Sequence, residues 1–345
     1  MNITKMMPDI CHDYSLQNRH SFGLKAKTRR WVSVHSENEL RDALVSQRQQ
    51  RAPLLFLGEG SNTVFTQDFP GTIIHLALRG IQWVEDDAQF HYVEVAAGEN
   101  WHDFVEYTLS QGKPGLENLA LIPGSVGACP IQNIGAYGLE VSQRIHEVRI
   151  LDLEIFAFRS LSNEECRFAY RDSVFKHHLA GKAVITAVVF KLPKVWVPVT
   201  QYADIQKYFV EHAIAAPTPR TVFNAVVSIR TQKLPDPCIT GNAGSFFKNP
   251  IIDQTVFEQI KINWPDVVSY PQPDGRVKLA AAWLIEQAGL KGQAVGGAAV
   301  SEKQALVLIN QGDATADNLK ALVELVIEKV RLQFAVNLEP EPLLV

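Results

Sequence analysis

The sequence predicts an α+β protein, and three observations carry that expectation. VSQRIHEVRILDLEIFAFRSL (141–161) and KAVITAVVFKLPKV (182–195) alternate as strands. DNLKALVELVIEKVRLQF (317–334) is a long amphipathic helix whose stripe is Leu319, Leu322, Val323, Val326, Ile327 and Val330. Elsewhere strands and helices mix without the strict βαβ beat of a doubly wound sheet. The chain has 345 residues and is 46% hydrophobic, enough to bury a large core. That length suggests about two or three domains.

Residues 1–16 read as a loose lead-in, and RRWVSVHS (29–36) as a strand. SENELRDALVSQRQQ (36–50) reads as a helix, with Ser36 as N-cap and Glu39 completing a capping box. PLLFLGEGSNTVF (53–65) is strand, Gly-rich turn, strand; GTIIHLAL (71–78) and FHYVEVAAG (90–98) are further strands. In NWHDFVEYTLSQG (100–112), Trp101, Phe104, Val105, Thr108 and Leu109 share a helix face, capped by Asn100 and ended by Gly112. Prolines cluster in AAPTPRT (215–221) and suggest a boundary. Beyond it, VKLAAAWLIEQAGLKG (277–292) reads as a helix closed at Gly289, ALVLIN (305–310) as a buried strand, and VNLEPEPLLV as extended.

The net charge is −4 and no long basic run occurs, which disfavours nucleic acid and anionic membrane surfaces as partners. Cys11, Cys129, Cys166 and Cys238 are scattered, with no CxxC pair, against a zinc site or disulfide framework and in keeping with a reducing cytosol. Neither a signal-peptide core nor an apolar run of about 18 residues appears, so the expectation is a cytoplasmic protein without a membrane span. His177 and His178 are adjacent and lack a ligand at metal spacing, so no metal site is expected.

Two stretches carry chemistry. GEGSN (58–62) begins like a dinucleotide fingerprint, but position 63 is Thr and no helix follows to hold a pyrophosphate. GLENLALIPGSVGACPIQNIGAYG (115–138) has five glycines and almost no charge. Small residues leave backbone N–H groups uncovered, and successive uncovered N–H groups make an anion nest. The two loops could grip one diphosphate, or be unrelated structural loops. In CRFAYRDSVFK, Arg171 lies among aromatics, where its planar fork suits a carboxylate; a surface ion pair is the plainer alternative. GNAGSFFKNP (241–250) places Ser245 at a sharp loop-to-core transition. Glu339 and Glu341 alternate near the end of the sequence and would share a strand face.

These residues resemble a known family. NRHSFGL (18–24), LGEGSNTVF (57–65), ENLALIPGSVGACPIQNIGAYG (117–138), YRDSVFK (170–176), KLPDPCITGNAGSFFKNP (233–250), YPQPDGRVKLAAAWLIEQAGLKG (270–292) and GGAAVSEKQALVLIN (296–310) resemble, in order, signatures of the UDP-N-acetylenolpyruvoylglucosamine reductases, the flavin enzymes commonly called MurB. The stretch around Tyr270 looks like the longer, type I branch.

The resemblance implies an FAD-binding domain of the vanillyl-alcohol-oxidase (PCMH) type in two subdomains, 1–80 (completed by 332–345) and 81–215, with an α+β substrate-binding domain at 216–331. It implies non-covalent FAD, NADPH as hydride donor, and a sugar-nucleotide substrate whose enolpyruvyl group becomes a lactyl ether. By the family pattern the catalytic residues are Arg171, Ser245 as proton donor, and Glu341. FAD would be held by Gly58, Gly60, Ser61, Asn62, Pro123, Gly124, Ser125, Gly127, Ala128, Gln132, Asn133, Gly135, Ala136 and Tyr137. Tyr170, Tyr202, Lys233, Asn249, Tyr270 and Gln304 match positions that contact substrate. Gly241, Ala243 and Gly244 would let the backbone approach flavin and substrate, with Phe246 and Phe247 anchoring the loop. The expected state is a monomer. The sequence departs from the pattern after Glu341, where Pro342-Leu343 stands in place of the usual Val-Arg. A flavin oxidoreductase acting on another substrate, or an inactive nucleotide-binding regulator, are the alternative readings.

Overall fold

A computed structural model describes residues 9–48, 50 and 52–345. The chain forms two compact units: residues 1–14, 28–59 and 70–232, and residues 15–27, 60–69 and 233–345.

The first unit holds two sheets. In one, the strands run in the order Asp9–Ser15, Lys27–Val34, Phe69–Leu76, Leu54–Leu57, the last two pairing in parallel from Leu54↔Thr72. In the other, five strands lie in the order Ala157–Ser162, Ile145–Asp152, Ala183–Pro193, Phe90–Ala96, Ile81–Trp83, with every pairing antiparallel. The helix Trp101–Ser110 starts as its sequence requires: Asn100 Oδ1 accepts the Asp103 amide at 3.0 Å. Its face buries Trp101 and Phe104 against Phe190, with ring centroids 5.8 and 5.0 Å apart. The helix Glu37–Arg48 is capped by Ser36 Oγ on the Glu39 amide at 3.2 Å, while the Glu39 carboxylate takes the His35 amide at 2.8 Å.

The second unit contains an antiparallel sheet in the order Gly241–Ser245, Val307–Asn310, Ala298–Val300, Ala294–Val295. A three-stranded sheet orders Ile251–Ile252, Val277–Leu279, Ser269–Pro271, and Leu343–Leu344 pairs in parallel with Thr63–Val64. The long helix is Ala316–Phe334, opened by a Thr315/Asn318 capping box. It buries Leu319, Leu322, Val323, Val326, Val330 and Phe334, the stripe legible in the sequence, with Ile327 at its half-buried margin.

The structure corrects several expectations. The lead-in is not loose where it is described: Asp9–Ser15 is an edge strand, while residues 1–8 lie outside the described residues. The prolines at 217 and 219 lie within the first compact unit. Pro219 opens the helix Pro219–Lys233, where its fixed φ and missing N–H cost nothing. That helix sends Val222, Phe223, Ala225, Val226 and Ile229 into the core that holds Trp101 and Phe190. The helix Ala281–Gln287 is shorter than its pattern, since Val277–Leu279 is a strand, and it does close at Gly289, with φ +70°. The helices Ala203–Glu211 and Gln254–Asn263 escape a periodicity reading because they bury only Ile205 with Phe209, and Ile260.

Candidate active site

In the first unit the two glycine-bearing loops are neighbours. A Cβ added to Gly58 would collide with the Ser125 hydroxyl. Ser125 also forms a backbone bridge with Asn100, whose amide donates to Glu59 Oε1 at 2.8 Å. Gly124, Ser125 and Gly127 are buried, Pro123 and Ala128 are exposed, and Gln132, Gly135, Ala136 and Tyr137 are half-buried. Among the described residues, the buried amides of Gly124 and Ser125 have no acceptor. Buried N–H groups demand a partner, and adjacent ones favour an anion, so this cradle fits a diphosphate-bearing cofactor. Asn118 ties the far end of the loop down, its amide donating to the carbonyls of Tyr137 and Val199 at 2.9 and 2.8 Å.

Asn133 behaves differently. It is fully buried, and its side chain is engaged by Glu140, Ala169 and the Ser142 amide at 2.9, 3.0 and 3.0 Å.

Arg171 sits at the tip of a turn closed by reciprocal Ala169–Asp172 backbone bonds of 3.0 and 3.1 Å. Its φ is +53°, a conformation a non-glycine residue holds only under constraint. The constraint is visible. Lys176 Nζ donates to the Arg171 carbonyl at 3.0 Å, and Arg171 Nη2 donates to the Gly135 carbonyl at 2.9 Å. The guanidinium lies 5.3 Å from the centroid of the half-buried Tyr170 ring. Tyr202, 41% exposed, meets Tyr137 edge to face at 5.2 Å, bringing an expected substrate residue onto an expected cofactor residue.

Arg230 was not anticipated. It lies on the helix Pro219–Lys233, where its Nε donates to the Leu121 carbonyl at 3.2 Å and its guanidinium interacts electrostatically with the Tyr137 phenol. Burial lowers the guanidinium pKa and raises that of the Tyr137 phenol. Arg171 is close enough to oppose it electrostatically. The only signal in the sequence was an arginine three residues before Lys233, indistinguishable from an exposed helix cation.

In the second unit Gly60 packs on the Arg19 carbonyl, leaving no room for a Cβ, and Ser21 binds the carbonyls of Gly60 and Ser61 at 3.2 and 3.1 Å. Asn62 grips the C-terminal segment. Its Nδ2 donates to the Glu341 carbonyl at 3.3 Å and its carbonyl accepts the Leu343 amide at 2.9 Å.

The strand Gly241–Ser245 pairs Asn242 with Ile309 and Ser245 with Val307, with an irregularity between. Buried Asn242 shapes it: Oδ1 accepts the Gly244 amide at 3.0 Å, and Nδ2 donates to Pro235 and Thr240 carbonyls at 3.0 and 2.8 Å. Gly244 takes φ +68°, and Ser245 emerges exposed. Phe246 and Phe247 are 0% and 1% exposed and pack edge to face at 5.4 Å, so the loop is anchored as expected. The small residues differ in their surroundings. Gly241 abuts the Phe22 carbonyl and Ala243 packs in the apolar core, leaving Gly244 alone facing open space.

Glu341 is half-buried, and its amide donates to the Phe246 carbonyl at 2.8 Å. Phe247 bridges Pro340, and Lys248 binds Glu339 through its amide at 3.0 Å and its ammonium at 3.1 Å. The segments 246–248 and 339–341 therefore lie side by side, bringing together the serine and glutamate that the sequence separates.

Asn249 Oδ1 accepts the Ala281 amide at 2.9 Å and caps the helix Ala281–Gln287. Tyr270 is 40% exposed on the strand Ser269–Pro271. Gln304 and Lys233 are half-buried, on the turn before Val307–Asn310 and at a helix end. Among the described residues no cluster of His, Cys, Asp and Glu could hold a metal ion, and no helix is long and apolar enough to cross a membrane.

Comparison with known proteins bears on this arrangement. A family described as "UDP-N-acetylenolpyruvoylglucosamine reductase, C-terminal domain" matches residues 236–345, and one described as "FAD binding domain" matches residues 29–154. The UDP-N-acetylenolpyruvoylglucosamine reductase of Paraburkholderia xenovorans is 51% identical over 95% of this chain and 96% of its own length. That of Paraburkholderia phymatum is 47% identical over 99% of both. The crystal structure of the Thermus caldophilus reductase superposes with a TM-score of 0.65 at 24% identity, covering 98% of this chain and 99% of that one, which shows a shared fold. With these relatives matching along nearly its whole length, the chain belongs to the UDP-N-acetylenolpyruvoylglucosamine reductase family of FAD-dependent oxidoreductases.

Proposed function

We propose that this protein reduces UDP-N-acetylenolpyruvoylglucosamine to UDP-N-acetylmuramate, at the expense of NADPH, as a cytoplasmic monomer supplying peptidoglycan precursor for cell shape and division. The observation that carries the reading is the 2.8 Å bond from the Glu341 amide to the Phe246 carbonyl, which holds the backbone of Glu341 against the residue that follows the exposed Ser245.

FAD held non-covalently and reduced by NADPH would supply the hydride, from N5 to C3 of the enolpyruvyl group. The buried amides of Gly124 and Ser125 and the neighbouring Gly58 would receive its diphosphate. Hydride arrival at C3 leaves negative charge at C2 and on the carboxylate. Arg171 meets that charge with a fixed planar cation, whose strained turn keeps it from relaxing. Ser245 gives its hydroxyl proton to C2, completing the lactyl ether. Glu341 supports the developing charge, as a carboxylic acid when protonated. Tyr170, Tyr202, Lys233, Asn249, Tyr270 and Gln304 receive the sugar nucleotide. The functional division carried forward is FAD binding by 1–80 with 332–345 and by 81–215, and substrate binding by 216–331.

The test is a flavin absorbance experiment. The bands should bleach on adding NADPH and recover on adding the enolpyruvyl sugar nucleotide, with flavin released on acid denaturation. Bleaching without recovery would assign another substrate.

A further inference from the structure

We propose that Asn133 is a positioning residue for Arg171, its side chain locking the turn that carries the guanidinium. The inference rests on the role given to Arg171 above. Asn133 has 0% exposure and φ +44°. Each of its amide protons has a taker, Glu140 Oε2 at 2.9 Å and the Ala169 carbonyl at 3.0 Å, and Oδ1 accepts the Ser142 amide at 3.0 Å. Ala169 is the first residue of the Arg171 turn, and Glu140 pairs with Gly135, whose carbonyl takes Arg171 Nη2 at 2.9 Å. The side chain thus binds both supports of one arginine, its backbone turn and the hairpin under its guanidinium.

A buried amide with all its donors satisfied has nothing left to offer a ligand, so the Asn133 side chain acts through Arg171. Releasing it would free a residue that already sits in a costly conformation, and the turn would relax toward one that turns the guanidinium elsewhere. Transition-state stabilisation depends on fixed donors, so the loss would fall on the step in which charge develops.

The experiment compares Asn133→Gly, which tolerates the positive φ, with the isosteric Asn133→Asp, which keeps Oδ1 and loses both donors. Flavin titration and the two half-reactions are measured for each, alone and with Arg171→Ala, and hydrogen exchange of the amides of Ala169 and Asp172 is followed in the flavin-free protein. The expected result is faster exchange at both amides and FAD affinity within about threefold of the parent. Reduction by NADPH should be near normal and reoxidation by the enolpyruvyl sugar nucleotide at least tenfold slower, with no further loss in the Arg171→Ala background. Weakened FAD binding with additive losses would overturn the proposal in favour of cofactor contact, and unchanged reoxidation would overturn it outright. If the parent protein itself is not reoxidised, the functional reading fails while the exchange result still decides the positioning.

Discussion

The amide of Glu341 donates to the carbonyl of Phe246 at 2.8 Å, so a residue near the C-terminus is held against the neighbour of Ser245. The contact is main chain to main chain. It survives substitution of either functional side chain, so each role can be removed while the frame stays.

Ser245→Ala should leave flavin reduction by NADPH nearly unchanged and slow reoxidation by the sugar nucleotide about 10²- to 10⁴-fold, the range of general acid catalysis. Stopped-flow absorbance separates the two half-reactions. An equal fall in both would make Ser245 structural. The exposed hydroxyl carries little packing, so the variant should unfold at the parent's denaturant midpoint.

Phe246→Leu probes the frame itself. The ring is fully buried between Phe22 and Phe247, at 6.5 and 5.4 Å. Leucine leaves part of that volume empty, and a loss of about 1–3 kcal/mol in urea unfolding is expected, short of the 3–5 kcal/mol of truncation to alanine. Reoxidation should slow more than reduction, because the Ser245 loop rests on this ring. A stability loss with both half-reactions intact would separate the anchor from the chemistry.

Much of this was legible in the sequence because the residues concerned advertise their physics. Asn100 before an apolar face, the stripe of Ala316–Phe334, and two aromatic residues after Gly244-Ser245 each follow from periodicity or capping. What stayed hidden was set by tertiary partners. Pro219 looked like part of a boundary and is a helix start, since its fixed φ suits the first turn of a helix. Arg230 and Asn133 carry no local signal: their importance comes from Leu121, Tyr137 and Ala169, each far away in sequence. Gly241 looked poised for a ligand and instead faces the Phe22 carbonyl.

His20 should make stability fall in mild acid. Burial holds its pKa below the ordinary 6.5, only partly offset by the Leu24 carbonyl at 3.1 Å, and Nδ1 finds no partner among the described residues. Below about pH 6.5 the unfolded chain takes up a proton that the folded one refuses. Stability therefore drops as pH falls through that value, by at most about 1.4 kcal/mol per pH unit from this group, until the folded-state pKa is reached. Urea midpoints between pH 7.5 and 5.5 should slope less steeply for His20→Gln than for the parent. Parallel slopes would mean that other groups dominate.

Arg230 should govern how well flavin is retained. It pins the loop through the Leu121 carbonyl at 3.2 Å and interacts electrostatically with the Tyr137 phenol, and Leu121 and Tyr137 both hold positive φ, at +57° and +48°. Two non-glycine residues in that region need outside restraint. Arg230→Met keeps the apolar stem and removes both interactions. A hydrogen bond to a charged donor is worth about 1.5–3 kcal/mol, so FAD should bind roughly ten- to a hundredfold more weakly. Quenching of flavin fluorescence on titration into the flavin-free protein measures it. Arg230→Lys restores charge without the fork and should recover only a fraction. Full recovery by lysine would show that charge alone matters, and unchanged affinity in Arg230→Met would show that the loop holds its strained residues without this arginine.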